Sequence, residues 1–220
     1  MGVFVGSSIY NAPSIYESGA GGGGGGDTNK IGGRTYRTVT IDGVTWLAEN
    51  LDFKFCVIGG VGNPSTPNAW YYNNDEATYG IDGVKKCGLL YNWYAVELLN
   101  NNTSALIPGW HVPTRDEWEA LVNAVGGTVV AGTKLKAIDG AADGSWPTGW
   151  NGTDEYGFEV FPAGYYGGGN FFNVNINAYF WTSTSATSNN AFQRYFNDGA
   201  SIGFSSDSKL NGRSVRLIKD

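Results

Sequence analysis

Two adjacent acidic pairs, Asp75-Glu76 and Asp154-Glu155, are the first places where the chain offers acid/base chemistry. Proton transfer needs carboxyl groups that converge on one substrate from different points, in environments that push their pKa values apart. Sequence neighbours rarely do so, and both pairs fall in segments that read as loops. The single imidazole, His111, lies between Trp110 and Val112 and reads as a packed, hydrogen-bonded ring. With no second imidazole, no Ser-His-Asp arrangement is convincing. Arg115, Asp116 and Glu117 read as a solvated or capping turn. Cys56 and Cys87 stand 31 positions apart, with no CxxC and no nearby His. That is too few ligands for zinc. They read as semi-buried thiols packed like small hydrophobes, or as one bridge. Gly167-Gly168-Gly169 lacks the following Lys of a phosphate loop. No catalytic residue, metal ligand or cofactor is assigned.

The residue types that do suggest a function are contact residues. Between Tyr165 and Asn211 the chain mixes Asn, Ser, Gly, Tyr and Phe, with Lys and Glu almost absent. Tyr and Phe supply contact area at low rotamer cost, and Ser, Asn and Gly supply adaptable hydrogen bonds. Charged residues are likewise depleted at interface cores. The candidate ligand-binding residues are Asn170, Phe172, Asn173, Asn175, Asn177 and Tyr179, then Thr187, Asn189, Asn190, Phe192, Gln193, Tyr195, Asn197, Asp198, Ser201, Phe204 and Ser205. They place a binding surface on residues 170–179 and 185–205.

The elements that must carry these residues are short. Thr35–Ile41 reads as a strand, Asp42-Gly43 as a two-residue hairpin turn, and Val44–Leu47 as its partner. Residues 59–83 read as a loop layer and Leu89–Leu99 as a short buried helix. Thr114 with Glu117 forms a capping box. Trp118, Leu121, Val122 and Val125 then lie on one helical stripe, which Gly126-Gly127 ends. Phe158–Phe161, Tyr179–Thr184, Ala191–Asn197 and Ser214–Lys219 are strand candidates. The pattern predicts an α+β domain over residues 28–220.

Residues 1–27 differ, with scattered apolar residues leading into six glycines, Gly21–Gly26. Glycine loses the most backbone entropy and has no side chain to bury. This segment therefore reads as an attachment and oligomerisation segment with a hinge. Composition excludes other classes. The 220 residues carry 14 Lys and Arg against 20 Asp and Glu, a net charge of −6. Neither half is basic, which argues against nucleic-acid binding. No run of 18 apolar residues exists, so no membrane-inserting helix is expected. MGVFVGSSIY lacks the basic and continuous apolar stretches of an export signal.

Six motifs in order carry a resemblance: IDGVTWLAENL (41–51), GLLYNWYAV (88–96), GWHVPTRDEWEAL (109–121), GFEVFPAGYY (157–166), YFWTSTSAT (179–187) and SVRLIKD (214–220). Together they resemble the Fibrobacter succinogenes major paralogous domain. The resemblance covers residues 31–220 and implies a C-type lectin-like fold, in the formylglycine-generating-enzyme-like branch. Short strands, two helices and long loops are then expected, with Trp46, Trp93, Trp110 and Trp118 in the core. Formylglycine-generating relatives need a C-terminal cysteine pair, which is missing after Cys87, so an enzyme is the third reading. C-type lectins proper use Glu-Pro-Asn or Gln-Pro-Asp with Trp-Asn-Asp. This chain has only Trp150-Asn151-Gly152, and its Asn170–Asn177 stretch lacks acids, so no calcium site is assigned.

The resemblance extends to variable proteins of diversity-generating retroelements, whose variable positions occupy this C-terminal part. The expected function is a ligand-binding adhesin, namely a phage tail receptor-binding protein with a C-terminal, retroelement-diversified face. Its partners would be a cell-surface protein or glycan, itself as a homotrimer, and other virion proteins through residues 1–27. Its location would be the virion. The alternative is a bacterial cell-surface structural or adhesion protein without diversification.

Overall fold

A computed structural model of the chain describes residues 28–60, 66–138, 146–150 and 152–220. The proposed attachment segment, residues 1–27, lies outside them. The first strands are β1 (Thr28–Ile31), β2 (Arg34–Ile41) and β3 (Val44–Leu47). Asp42 and Gly43 turn β2 into β3 with φ of 50° and 80°, the left-handed pair that matches strand twist. Next come β4 (Val57–Ile58), β5 (Asn68–Trp70), a 3-10 turn at Tyr72–Asn74, α1 (Glu76–Tyr79) and β6 (Leu90–Tyr91).

The expected helix at 89–99 thus begins later, as α2 (Trp93–Asn101), and α3 (Thr103–Leu106) follows. The Asn92 side chain caps α2 by accepting from Ala95 N, which fixes where strand gives way to helix. After β7 (Trp110–His111) comes α4 (Arg115–Ala124), with both halves of the Thr114/Glu117 capping box formed. It is followed by α5 (Thr128–Leu135), β8 (Ala163–Gly167), β9 (Asn170–Val174), β10 (Ala178–Ser185), β11 (Asn190–Phe196), β12 (Ile202–Ser208) and β13 (Ile218–Lys219).

The strands form two five-stranded sheets, β1-β2-β3-β13-β7 and β12-β11-β10-β8-β9, and a three-stranded sheet β4-β5-β6. This corrects the expected α+β, C-type lectin-like architecture with two helices. Among the described residues the protein is mainly β, about 36% strand and 21% helix, and fits a sandwich or barrel of curled sheets. The reason lies in segments outside the strand candidates of the sequence. Gly168 and Gly169, with φ of 57° and 88°, close a tight β8–β9 hairpin. The serine-rich β12 pairs along its full length with β11, because an edge strand need not be apolar to complete a ladder. Two strand candidates shrink. Val160 makes a single bridge to Lys136, and in the last segment only Ser214 and Ile218–Lys219 pair.

The core is not one tryptophan cluster. Trp46 and Trp118, 5.1 Å apart, pack with Phe158 and Phe180. Trp93, Trp110 and Trp181 belong to a second cluster, and Trp70 and Tyr166 stack in a third. Buried cations pin the loops between them. Arg216 donates to Asn50 Oδ1 and to the carbonyls of Leu47, Phe158 and Glu159, all at 2.8–2.9 Å. Lys136 Nζ donates to the carbonyls of Trp150, Asn197 and Gly199, joining the end of α5 to the β11–β12 turn. Both cysteines are unpaired, Cys87 buried and Cys56 half-buried.

Candidate ligand-binding face

The strands of the second sheet carry ten of the seventeen predicted contact residues and the turns between them the other seven, and pleating divides the strand residues between the two faces. On one face, a row of rings crosses four strands. Tyr165 and Phe172 face each other across the β8–β9 hairpin with centroids 5.1 Å apart. Tyr165 meets Tyr179 edge-on at 5.4 Å. Tyr179 pairs with Tyr195 across β10–β11, at 6.4 Å. Tyr195 in turn is opposite Gly203 on β12. A methyl group at Gly203 would sit 1.9 Å from Tyr195 Cζ, so the ring lies across the glycine. Tyr165, Tyr179 and Tyr195 are half-buried, and Phe172 is 40% exposed.

Beneath the row lies Arg213, 2% exposed at its side chain. Its guanidinium is 4.3 Å from the Tyr165 ring centre and 5.1 Å from that of Tyr179. Nε donates to Gln193 Oε1 at 2.7 Å, and Nη1 to Gly212 O at 2.9 Å. Nη2 pairs with Asp207. Burial lowers the Arg213 pKa, and Asp207 opposes that shift. Gln193 also donates to Ser205 Oγ at 3.1 Å. Asn211 donates to Asp207 Oδ1 at 3.2 Å, and Asn173 Nδ2 to the Tyr179 hydroxyl at 3.2 Å. The face is therefore a ring platform on a neutralised cation, edged by amides and hydroxyls.

On the opposite face, Phe192 and Phe204 stack at 5.2 Å. Arg115 of α4 lies 4.5 Å over Phe204, and the buried Arg194 packs against its ring and pairs with Glu119 at 2.5 Å. The same sheet thus keeps these two rings apart from Tyr179 and Tyr195.

The remaining predicted residues hold turns. Asn173 and Asn175 both have φ of 62°, a left-handed backbone that Asn tolerates better than most residues. Asn177 Nδ2 donates to Phe196 O at 3.4 Å. Thr187 Oγ1 accepts from Asn189 N and Asn190 N in the β10–β11 turn. Asn197 Oδ1 accepts from Gly199 N in the β11–β12 turn, where Asp198 and Ser201 are exposed. Asn170 is exposed at the β8–β9 tip. Sequence reasoning missed Tyr165, Arg213, Asp207, Asn211 and Gly203. Cross-strand register brings Tyr165 and Gly203 to the row, and Arg213 meets Gln193 and Tyr165 from 20 and 48 positions away.

The other charged clusters have structural partners. His111 Nδ1 is 2.6 Å from Asp220 and Nε2 is 3.0 Å from Glu117, an arrangement that staples β7, α4 and Asp220 together. A cleft of about 430 Å³ is lined by Arg34, Arg37, Glu49, Asp82, Lys86 and Glu159. Arg34 pairs there with Asp82 and Glu49, and Arg37 with Glu49 and Glu159. Among the described residues, no three His, Cys, Asp or Glu side chains gather as a metal site, and no helix is long and apolar enough to cross a membrane.

The Fibrobacter succinogenes major domain family matches residues 39–219, and the chain belongs to that family. No curated protein and no solved structure matches it. The matched region contains every residue of the aromatic face and leaves out β1 and the first part of β2.

Proposed function

We propose that this member of the Fibrobacter succinogenes major domain family is a ligand-binding adhesin that reads its target with the Tyr165–Phe172–Tyr179–Tyr195 face. The observation that carries this reading is the row itself. Four adjacent aromatic side chains reach solvent in one row, on a sheet where Tyr166, Phe180, Trp181 and Phe196 are buried and the half-buried Phe192 and Phe204 lie on the other face under Arg115. Large rings left at a surface are a usual mark of a binding site, and Tyr in particular anchors interfaces. The polar groups around the row are already oriented by hydrogen bonds, so little ordering cost remains at binding.

The setting we assign is the tip of a phage tail, with residues 1–27 as the attachment segment and the ligand a group on a host cell surface. Support is compositional: apolar residues followed by six glycines precede the matched region. The test measures binding of the labelled full chain to a panel of bacterial cells. Tyr195→Ala should abolish saturable binding while leaving the fold intact. Undiminished binding would remove the face from the reading. A chain lacking residues 1–27 should still bind cells but fail to join a virion. Retained incorporation would contradict the attachment role.

A further inference from the structure

The geometry points to a neutral glycan as the ligand of the aromatic face, an inference that rests on the adhesin reading above. Three observations converge on it. First, the row offers rings and no aliphatic side chains. Pyranose C–H groups carry slight positive charge and seat on the negative face of an aromatic ring, by the attraction that holds cations over rings. Tyr195 is the ring best placed for this. It lies along Gly203, so one side is against the strand, and the half-buried ring still reaches solvent.

Second, the hydrogen-bonding groups suit hydroxyls. The Tyr165 and Tyr195 hydroxyls bond to no described residue, and neither is a buried orphan. Ser205 and Asn211 border the same face on β12 and the chain after it. Each is a donor and an acceptor, as a sugar hydroxyl requires.

Third, the charges cancel inside the site. Arg213 is spent on Asp207, Gln193 and backbone carbonyls, so its charge is not offered to a phosphate, sulfate or uronate. A protein partner would call for an apolar core to the contact, and here only Phe172 and the nearby Ile176 are exposed hydrophobics in β9 and the β9–β10 turn. The row runs across β9, β8, β10 and β11 with one ring from each strand, which suits a chain of sugars laid perpendicular to the strands.

The experiment uses the full chain and two readouts. Calorimetry with neutral β-glucan, xylan, mannan and chitin oligosaccharides should find at least one ligand. Affinity should fall about tenfold or more in Tyr195→Ala and in Tyr179→Ala, with no loss in EDTA or at raised salt. In parallel, cell binding should disappear after periodate oxidation of the cells and survive protease treatment. Cell binding that needs Tyr195, survives periodate and is lost to protease would overturn the glycan inference and leave the adhesin reading standing. Binding of anionic polysaccharides alone would also overturn it. Cell binding indifferent to Tyr195 would instead sink the adhesin reading at this face.

Discussion

Tyr195 lies across its cross-strand neighbour Gly203, so close that a methyl group on the glycine would overlap the ring at Cζ. An edge-strand glycine covered by an aromatic from the next strand is a known way to complete a sheet. Here it also fixes the attitude of the ring. Gly203→Ala should therefore displace the free end of Tyr195 rather than unfold the sheet. Stability should drop by about 1 kcal/mol, the low end for overpacking, because the displaced atoms are the tip of a side chain. Ligand binding should weaken by about 2 kcal/mol, as for loss of an anchor. Urea titration and a binding isotherm measure the two effects, and equal loss in both would show that the glycine acts only on the fold.

Arg213 and Asp207 should be strongly coupled. Asp207→Asn leaves a buried guanidinium without its carboxylate, and such changes cost about 3 kcal/mol or more. Asp207 is one-third exposed, which sets the expectation at the lower end of that range. The denaturation midpoint reports the cost. A change under about 0.5 kcal/mol would mean that Gln193 and the carbonyls suffice to hold the cation.

The His111 bridge should give stability a defined pH dependence. Burial disfavours the charged imidazole, but hydrogen bonds to Asp220 and Glu117 outweigh it and raise the pKa above 6.5. The stabilisation is then complete below pH 6.5 and lost as pH rises through the higher folded value. Burial of Glu117 acts to raise its pKa, yet bonds from the Thr114 N–H and His111 lower it below 4.5. Its contribution is present above 4.5 and lost as pH falls through the lower folded value. The bridge should be strongest between about pH 4.5 and 6.5. Urea titrations at pH 5.5 and pH 8 should differ less in His111→Gln than in the wild type, by about 1 kcal/mol at most for so exposed a group. An unchanged difference would show that other groups govern it.

Both thiols should be sluggish. Burial pushes Cys56 and Cys87 up to about 12, so little thiolate exists at pH 8. Native protein should react with a disulfide reagent far more slowly than unfolded protein. Rapid labelling of either cysteine in the native state would contradict its environment.

How much of this was legible in the sequence differs by element. The Asp42-Gly43 turn and the Thr114/Glu117 box are local, set by residues within three positions, and both form as the sequence predicts. The sheet content is not local. β8 pairs with β10 in parallel across a hairpin, through Gly164 and Ala178, and β12 carries serines that give no apolar alternation. The composition of 170–205 drew attention to the sheet that carries the aromatic row, but could not say that Phe192 and Tyr195 point to opposite faces. That depends on register, and on the bulge between Trp181 and Ser185. Arg213 was hidden for a related reason: an Arg in a polar segment looks exposed until Asp207, Gln193 and the rings of Tyr165 and Tyr179 enclose it.

The two faces of this one sheet provide the most direct test. Cell binding by the full chain should be measured for two double variants, Tyr179→Ala/Tyr195→Ala and Phe192→Ala/Phe204→Ala, both checked for a folded state. The first should lose saturable binding, and the second should keep the wild-type affinity within about threefold, as for residues outside the contact. Loss confined to the Phe192/Phe204 variant, with the tyrosine variant binding normally, would place the ligand on the opposite face and contradict the account.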